Sequence, residues 1–118
     1  MSQNLDFGRL GESLACDYLK KNGFIILKRN FYCKYGEIDI IATKNKVLHF
    51  IEIKTRHGLD FGDPIFAINA FKQEKIKKTA LIFLSELEED NFVGYIFDAL
   101  TIVFTLDKYN IEFFENIF

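Results

Sequence analysis

The stretch GEIDIIATKNKVLHFIEIK most constrains the fold, because apolar residues alternate in it on both sides of a short polar link. Alternation with a period of two predicts strands over 37–42 and 47–54, joined as a hairpin by TKNK. Three charged residues, Asp39, Glu52 and Lys54, stand inside these strands. Since charged groups within apolar strands need partners, this hairpin is also the first candidate for a functional site.

The rest of the 118-residue chain continues in alternating helices and strands. Helical spacing predicts helices over 8–22 and 65–85, and β-rich runs predict strands over 24–31 and 111–118. Residues 92–104 are predicted to form one strand or a bent pair of strands. The order α-β-β-β-α-β-β gives an α/β protein with helices on both sides of one sheet, and the whole chain is predicted to be a single domain.

The two strands of the hairpin can bring their charges to one face. Asp39 and Glu52 lie on paired strands, where their carboxylates would repel each other unless a cation lay between them. Hard divalent ions such as Mg²⁺ prefer oxygen ligands of this kind. Lys54 follows Glu52 by two residues and shares its face, where an ammonium can orient a water or stabilise charge on a phosphate. The alternative is that the acids face water on an edge strand and that Lys54 is a solvated strand end.

Alternation also predicts which residues of the first hairpin strand face the core. Ile38, Ile40 and Ala42 are expected on one side of the sheet, and Glu37 and Asp39 on the other.

This constellation resembles the PD-(D/E)XK nuclease superfamily, in which an acid ends one strand and (D/E)-x-K lies on the next. The matching residues are Asp39, Glu52 and Lys54, and an acidic residue on the first helix would be Glu12. The proline that usually precedes the first acid is replaced by Ile38. The superfamily includes the archaeal-type Holliday junction resolvases, so the resemblance implies nucleic acid, above all branched or nicked DNA, as the partner.

The resemblance also implies a fold and a set of roles. The fold would be a restriction-endonuclease-like three-layer α/β/α sandwich with a central mixed sheet. Mg²⁺ or Mn²⁺ would be held by Asp39, Glu52 and the carbonyl of Ile53. Lys54 would act on the attacking water, and Glu12 would complete the acidic cluster directly or through water. The reaction would be the hydrolysis of a phosphodiester bond.

Longer motifs are similar to the YraN-like family of small bacterial proteins of uncharacterised function. They are GRLGESLACDYLKKNGFIILKRNF, YGEIDIIA, FIEIKTR, the FGDP loop, Lys72 in the following helix, and FDAL near the end. Because they cover nearly the whole chain in order, the chain is identified as a member. It departs from the family where an arginine often precedes Phe-Asp, since Ile96 stands before Phe97 and Asp98 here.

The charge distribution also bears on nucleic acid. The net charge is −2, yet residues 1–78 carry 14 Lys+Arg against 9 Asp+Glu, while residues 79–118 carry one Lys and 8 acids. The basic part can present a positive surface to phosphates, or it can be an ordinary solvated face. The residues predicted to bind nucleic acid are Arg9, Arg29, Lys34, Arg56 and Lys72.

Several classes of protein are disfavoured by the sequence. Cys16 and Cys33 do not form the CxxC pair typical of a zinc site or a disulfide framework. The chain contains no apolar run long enough to span a membrane and does not begin like a signal peptide, so a cytoplasmic location is expected. His49, on an apolar strand face, is expected in the core, whereas His57 in the following loop is a candidate substrate contact.

Two alternatives to a nuclease remain open. The same fold could bind nucleic acid without cleaving it. It could also be a protein-interaction module in which the acidic, Phe-rich segment 111–118 forms an edge that pairs with a second copy as a homodimer.

Overall fold

The computed structural model describes the backbone of residues 3–57, 69–88 and 91–118, and the side chains of these ranges from residue 8 onward. The elements follow the predicted order, so the α/β class and the order α-β-β-β-α-β-β are confirmed. The bounds are α1 Gln3–Lys21, β1 Ile25–Cys33, β2 Gly36–Lys44, β3 Val47–His57, α2 Ala70–Glu86, β4 Gly94–Phe104 and β5 Tyr109–Phe114.

The five strands form one mixed sheet in the order β1-β2-β3-β4-β5. The neighbours β1/β2, β2/β3 and β4/β5 are antiparallel, and β3/β4 is parallel. A parallel pair needs a crossover connection, and α2 lies within it. The β2–β3 hairpin turns at Asn45 and Lys46, whose φ angles of 52° and 66° are those of a tight two-residue turn. The predicted TKNK hairpin is thereby confirmed.

The two helices lie on opposite faces of the sheet, and each covers a separate core. The core beneath α1 is formed by Ala15, Cys16, Leu19, Phe24, Ile40, Ala42, Ile51, Leu100 and Ile102. The core beneath α2 is formed by Ile38, Ile41, Leu48, Phe50, Ala80 and Phe97. This three-layer arrangement is consistent with the restriction-endonuclease-like fold.

Some predicted bounds differ from the structure. The first helix begins at Gln3, five residues before the prediction, and 92–104 is a single strand that begins at Gly94. The described part of the second helix begins at Ala70, where the side chain of Asn69 caps it by accepting a hydrogen bond from the Lys72 N–H at 2.8 Å. The FGDP loop and the predicted helical residues 65–68 lie outside the described residues.

The predicted facing of Ile38 is wrong. Ile40 packs beneath α1 as expected, but Ile38 packs beneath α2. The reason lies at Asp39, because the regular ladder between β2 and β3 begins only at the pair Ile40 and Ile51. At Asp39 the side-chain carboxylate accepts a hydrogen bond from the Ile53 N–H in place of a ladder bond, and β2 departs from a regular pleat there.

The predicted strand 111–118 ends at Phe114, and the last residues return to the sheet. The Ile117 N–H donates to the Phe97 carbonyl at 2.8 Å, and the ring of Phe118 stacks on that of Phe97 with centroids 4.9 Å apart. The Asn116 N–H donates to Oδ1 of Asp98 at 2.9 Å. These contacts use the end of the segment to cover the α2-side core, so 115–118 does not extend the edge strand.

A buried polar pair lies within the sheet beside this segment. His49 on β3 is 5% exposed and Asp98 on β4 is 1% exposed, and Nδ1 of His49 is hydrogen-bonded to Oδ2 of Asp98. Phe24 packs edge-on against the imidazole ring with centroids 4.9 Å apart. The expectation that His49 is a core residue is confirmed.

Two glycines of α1 give a matched test of how closely the helix approaches the sheet. An added Cβ at buried Gly11 would lie 2.7 Å from the Thr55 hydroxyl oxygen, whereas at exposed Gly8 it would meet nothing within 4 Å. Gly11→Ala is therefore expected to lower the free energy of unfolding by about 1–3 kcal/mol. Gly8→Ala is expected to raise it by about 0.5–1 kcal/mol through helix propensity. Urea unfolding measures both, and two effects of the same sign would contradict this contact.

Candidate active site

The site begins where β2 and β3 separate. Oδ2 of Asp39 accepts a hydrogen bond from the Ile53 N–H at 2.8 Å. A side-chain oxygen of β2 thus takes the place of a backbone carbonyl as the acceptor for β3. The bond fixes the carboxylate between the two strands.

Asp39 lies among other acids. Burial raises the pKa of its carboxyl from 3.8 to about 6, against the lowering effect of the hydrogen bond from Ile53. The negative charges of Glu52, Glu37 and Glu12 contribute to the same rise of the pKa. Glu12 and Glu52, the other two acids predicted from the sequence, therefore both lie within electrostatic range of Asp39. Glu37 was not among the predicted site residues, although its alternation with Asp39 on the first hairpin strand was a signal for it.

A cleft opens from Asp39 toward α1. Its lining is Gly8, Arg9, Glu12, Asn30, Glu37, Asp39, Ile53 and Thr55. Arg29 on β1 lies at its side, with a guanidinium nitrogen 4.0 Å from Oε2 of Glu12. The structure thus brings Arg9, Arg29 and Glu12 to the same cleft as Asp39.

Glu52 lies on the α2 side of the place where β2 and β3 separate, whereas the cleft at Asp39 opens toward α1. Its Oε1 is 3.1 Å from Nζ of Lys72 and 3.9 Å from Nζ of Lys54. Its Oε2 is buried and has no hydrogen-bond partner among the described residues. Glu52 lines a small cavity beneath α2 together with Phe97 and Phe118. Lys72, predicted to bind nucleic acid, is therefore placed directly on a predicted metal ligand.

The predicted donor set consists of the oxygen ligands that a hard divalent cation prefers. In the described part of the chain, no group of three or more His, Cys, Asp or Glu side chains is gathered as a ligand set. Mg²⁺ commonly uses one or two carboxylates and fills its remaining positions with waters and substrate oxygens. The unpartnered Oε2 of Glu52 and the raised pKa of Asp39 are the signs of carboxylates that a cation would stabilise.

The predicted nucleic-acid-binding residues are not gathered on one surface. Arg9 and Arg29 border the cleft beneath α1. Lys34 instead lies over the ring of Tyr35 at 5.1 Å, beside α2, and Lys72 projects from α2 itself. Arg56 is partly buried on β3.

Comparison with known proteins shows the family of the chain. The model of the uncharacterised protein family UPF0102 matches residues 11–102. A UPF0102 protein of Clostridium botulinum is 45% identical over 117 residues, which cover 98% of this chain and 95% of the relative. A UPF0102 protein of Dictyoglomus thermophilum is 46% identical over 100 residues, covering 85% of this chain and 84% of the relative.

The chain belongs to family UPF0102. The prediction that it is a member of the YraN-like uncharacterised family is confirmed. The matched range of UPF0102 includes Glu12, Asp39, Glu52, Lys54 and Lys72. Among the helices in the described ranges of this UPF0102 member, none combines the length and the apolar character needed to cross a bilayer.

Neither cysteine of the UPF0102 member is among the described residues that line the cleft at Asp39. Cys16 is buried beneath α1, and burial raises its pKa. Cys33 is partly buried, and although burial acts to raise its pKa, hydrogen bonds with Tyr35, Thr79 and Gly36 leave the pKa lowered. Both cysteines are free.

The raised pKa of Asp39 predicts a pH-dependent stability of this UPF0102 member. The folded state binds the Asp39 proton more tightly than the unfolded chain, so the resulting stabilisation is fully present below about pH 4 and is lost as the pH rises through about 6. Its full size is about 2–3 kcal/mol. Asp39→Asn cannot titrate and should lack this decline.

Urea unfolding of both proteins between about pH 4 and pH 8, in a chelator, measures the effect. Parallel pH profiles of the wild type and Asp39→Asn would contradict the raised pKa.

Proposed function

We propose that this UPF0102 member is a metal-dependent endonuclease that hydrolyses phosphodiester bonds of nucleic acid, with branched or nicked DNA as its substrate. The observation that carries the proposal is the pair of acids, Asp39 and Glu52, where β2 and β3 separate. The amine of Lys54 follows Glu52 on β3. Asp39 is held there by Ile53, and Glu52 keeps one buried oxygen without a partner.

The protein groups would divide the work as follows. Asp39, Glu52 and the carbonyl of Ile53 would hold Mg²⁺ or Mn²⁺, which supplies Lewis acidity and lowers the pKa of water. Lys54 would orient the attacking water or stabilise charge on the phosphate. Glu12 would assist from α1, directly or through water.

Lys72 would leave Glu52 when the site is loaded. Its ammonium nitrogen is 3.1 Å from Oε1 of Glu52, so Lys72 neutralises a carboxylate that a bound metal ion would otherwise neutralise. Once released, it would be free to contact a substrate phosphate, as the sequence suggested. This exchange keeps Glu52 compensated in both states.

Calorimetric titration of Mn²⁺ tests the proposal, combined with cleavage of linear, nicked and four-way-junction DNA. The wild type is expected to bind Mn²⁺ and to cut in its presence, and Asp39→Ala is expected to lose both. Asp17→Ala, which removes an exposed carboxylate of α1, should keep both. A wild type that neither binds Mn²⁺ nor cuts any of these DNAs would overturn the endonuclease.

A second candidate is a nucleic-acid-binding module that does not cut. It is favoured by the two ammonium groups on Glu52, which satisfy one of its oxygens without a metal. The same experiment separates the two, because such a module would bind DNA without cleaving it. DNA binding should weaken steeply with salt, whereas an apolar protein partner should be nearly insensitive to it.

The homodimer remains a proposal of its own. β5 is the last strand of the sheet, and an edge strand can pair with a second copy of the chain. Light scattering after gel filtration distinguishes a monomer of 13.8 kDa from a dimer.

A further inference from the structure

Lysines and aromatic rings form a continuous strip on the α2 side of the molecule. The members of this basic–aromatic strip are Lys34, Tyr35, Phe71, Lys75 and Lys78. Three of them belong to α2 and two to the turn between β1 and β2. None of the five was needed for the metal site.

Each ring of the strip carries an ammonium group on it. Nζ of Lys75 is 4.6 Å from the ring centroid of Phe71. Nζ of Lys34 and Nζ of Lys78 are 5.1 and 5.5 Å from the centroid of Tyr35. Positive charge and aromatic surface are thus interleaved rather than segregated.

The strip is continuous because α2 packs on the β1–β2 turn. An added Cβ at Gly36 would lie 3.5 Å from Oγ1 of Thr79 and 4.0 Å from Cβ of Lys75. Phe71, Lys75 and Lys78 follow one another at helical spacing on one face of α2, over about 10 Å.

The strip is exposed and positive. The side chain of Phe71 is 71% exposed, and Lys34, Lys75 and Lys78 are exposed. Residues 70–78 carry four lysines and one acid, Glu74. The first turn of α2 contains no acidic residue. An anionic ligand with flat apolar groups therefore matches the strip in both charge and shape.

We propose that the basic–aromatic strip binds an unpaired nucleic-acid strand and leads it to the acids at the β2–β3 opening. Proteins that bind single strands combine a positive track for the phosphates with aromatic rings for the bases. Phe71 stacks on a base, and Lys75 and Lys78 contact the phosphates that follow this base along the strip. Lys72, beside Phe71 in sequence, joins the strip to Glu52.

The inference deepens the proposed function, since it names a substrate with an unpaired strand, but the binding step needs no metal. It is tested by fluorescence anisotropy in a chelator with a labelled oligothymidine of about 16 nucleotides and a blunt duplex of the same length. Phe71→Ala is expected to weaken binding of the single strand about tenfold and of the duplex less than about twofold. Leu81→Ala removes a 57% exposed apolar side chain from the same helix and should change neither.

The lysines are tested by the dependence of affinity on salt. The double variant Lys75→Met, Lys78→Met should reduce the slope of log K against log salt by about 1.4, since each phosphate contact of a single strand contributes about 0.7. Lys108→Met, on the β4–β5 turn, should leave the slope unchanged. An unchanged affinity in Phe71→Ala, an equal loss in Leu81→Ala, or no binding of the single strand by the wild type would overturn the inference.

The outcomes separate this inference from the proposed function. Binding that depends on Phe71, without cleavage in Mn²⁺, would support the strip and reject the endonuclease. Cleavage in Mn²⁺ that is unaffected by Phe71→Ala would support the endonuclease and reject the strip.

Discussion

Replacing Lys54 by methionine is expected to slow phosphodiester hydrolysis by about 10²- to 10³-fold, the usual cost of removing one group that stabilises developing charge. The affinity for Mn²⁺ should change by no more than about fivefold, because Lys54 is 39% exposed and such ion pairs contribute little. This separation of rate from metal affinity is what distinguishes a residue acting on water or phosphate from a metal ligand.

Single-turnover cleavage and calorimetry measure the two quantities. Lys108→Met is the control, since it removes an exposed lysine far along the chain from the site. A parallel loss of Mn²⁺ affinity and of rate in Lys54→Met would instead assign the amine to the integrity of the site. An unchanged rate would remove Lys54 from the mechanism.

Replacing Asp98 by alanine is expected to lower the free energy of unfolding by about 3–5 kcal/mol, as is usual when one member of a buried pair is removed. The carboxylate is 1% exposed and accepts hydrogen bonds from His49 and from the Asn116 N–H, so its loss leaves the buried imidazole and a partly buried N–H without their acceptor. For a chain of this size the melting temperature should fall by about 10–20 °C.

A double-mutant cycle with His49→Ala tests the mechanism of this effect. The double variant should be less destabilised than the sum of the single variants, because no imidazole remains buried without its carboxylate partner. Asp17→Ala, at an exposed position on α1, should change the stability by less than about 0.5 kcal/mol. Additive effects of Asp98→Ala and His49→Ala would show that the two side chains are not coupled.

Local patterns were sufficient to predict the hairpin and its charges. Alternation with a period of two is a property of neighbouring residues, so Asp39, Glu52 and Lys54 could be assigned to strands without any tertiary information. The three layers followed from the order of the elements, since helices on either side of a sheet must each cover an apolar face.

The contacts that depend on the crossover could not be predicted in this way. Lys72 reaches Glu52 only because α2 returns across the sheet to make β3 and β4 parallel. The bond between His49 and Asp98 depends on the same pairing. The prediction of the side on which Ile38 packs was wrong for another reason, because the Asp39 carboxylate competed with the backbone ladder for the Ile53 N–H.

The parallel pairing of β3 with β4 also has a kinetic consequence. Its register runs from Val47 opposite Gly94 to His57 opposite Phe104, so every pair joins residues 47 positions apart in the chain. Contacts this distant in sequence form slowly, because closing the intervening chain costs conformational entropy before the contacts contribute any stabilisation. The β2–β3 hairpin that carries Asp39 and Glu52 can fold locally, but β3 can complete its other ladder only when β4 has docked beside it. Ile102→Val should therefore speed unfolding more than it slows folding in stopped-flow experiments, and the acids would be in place before the sheet that buries them is complete.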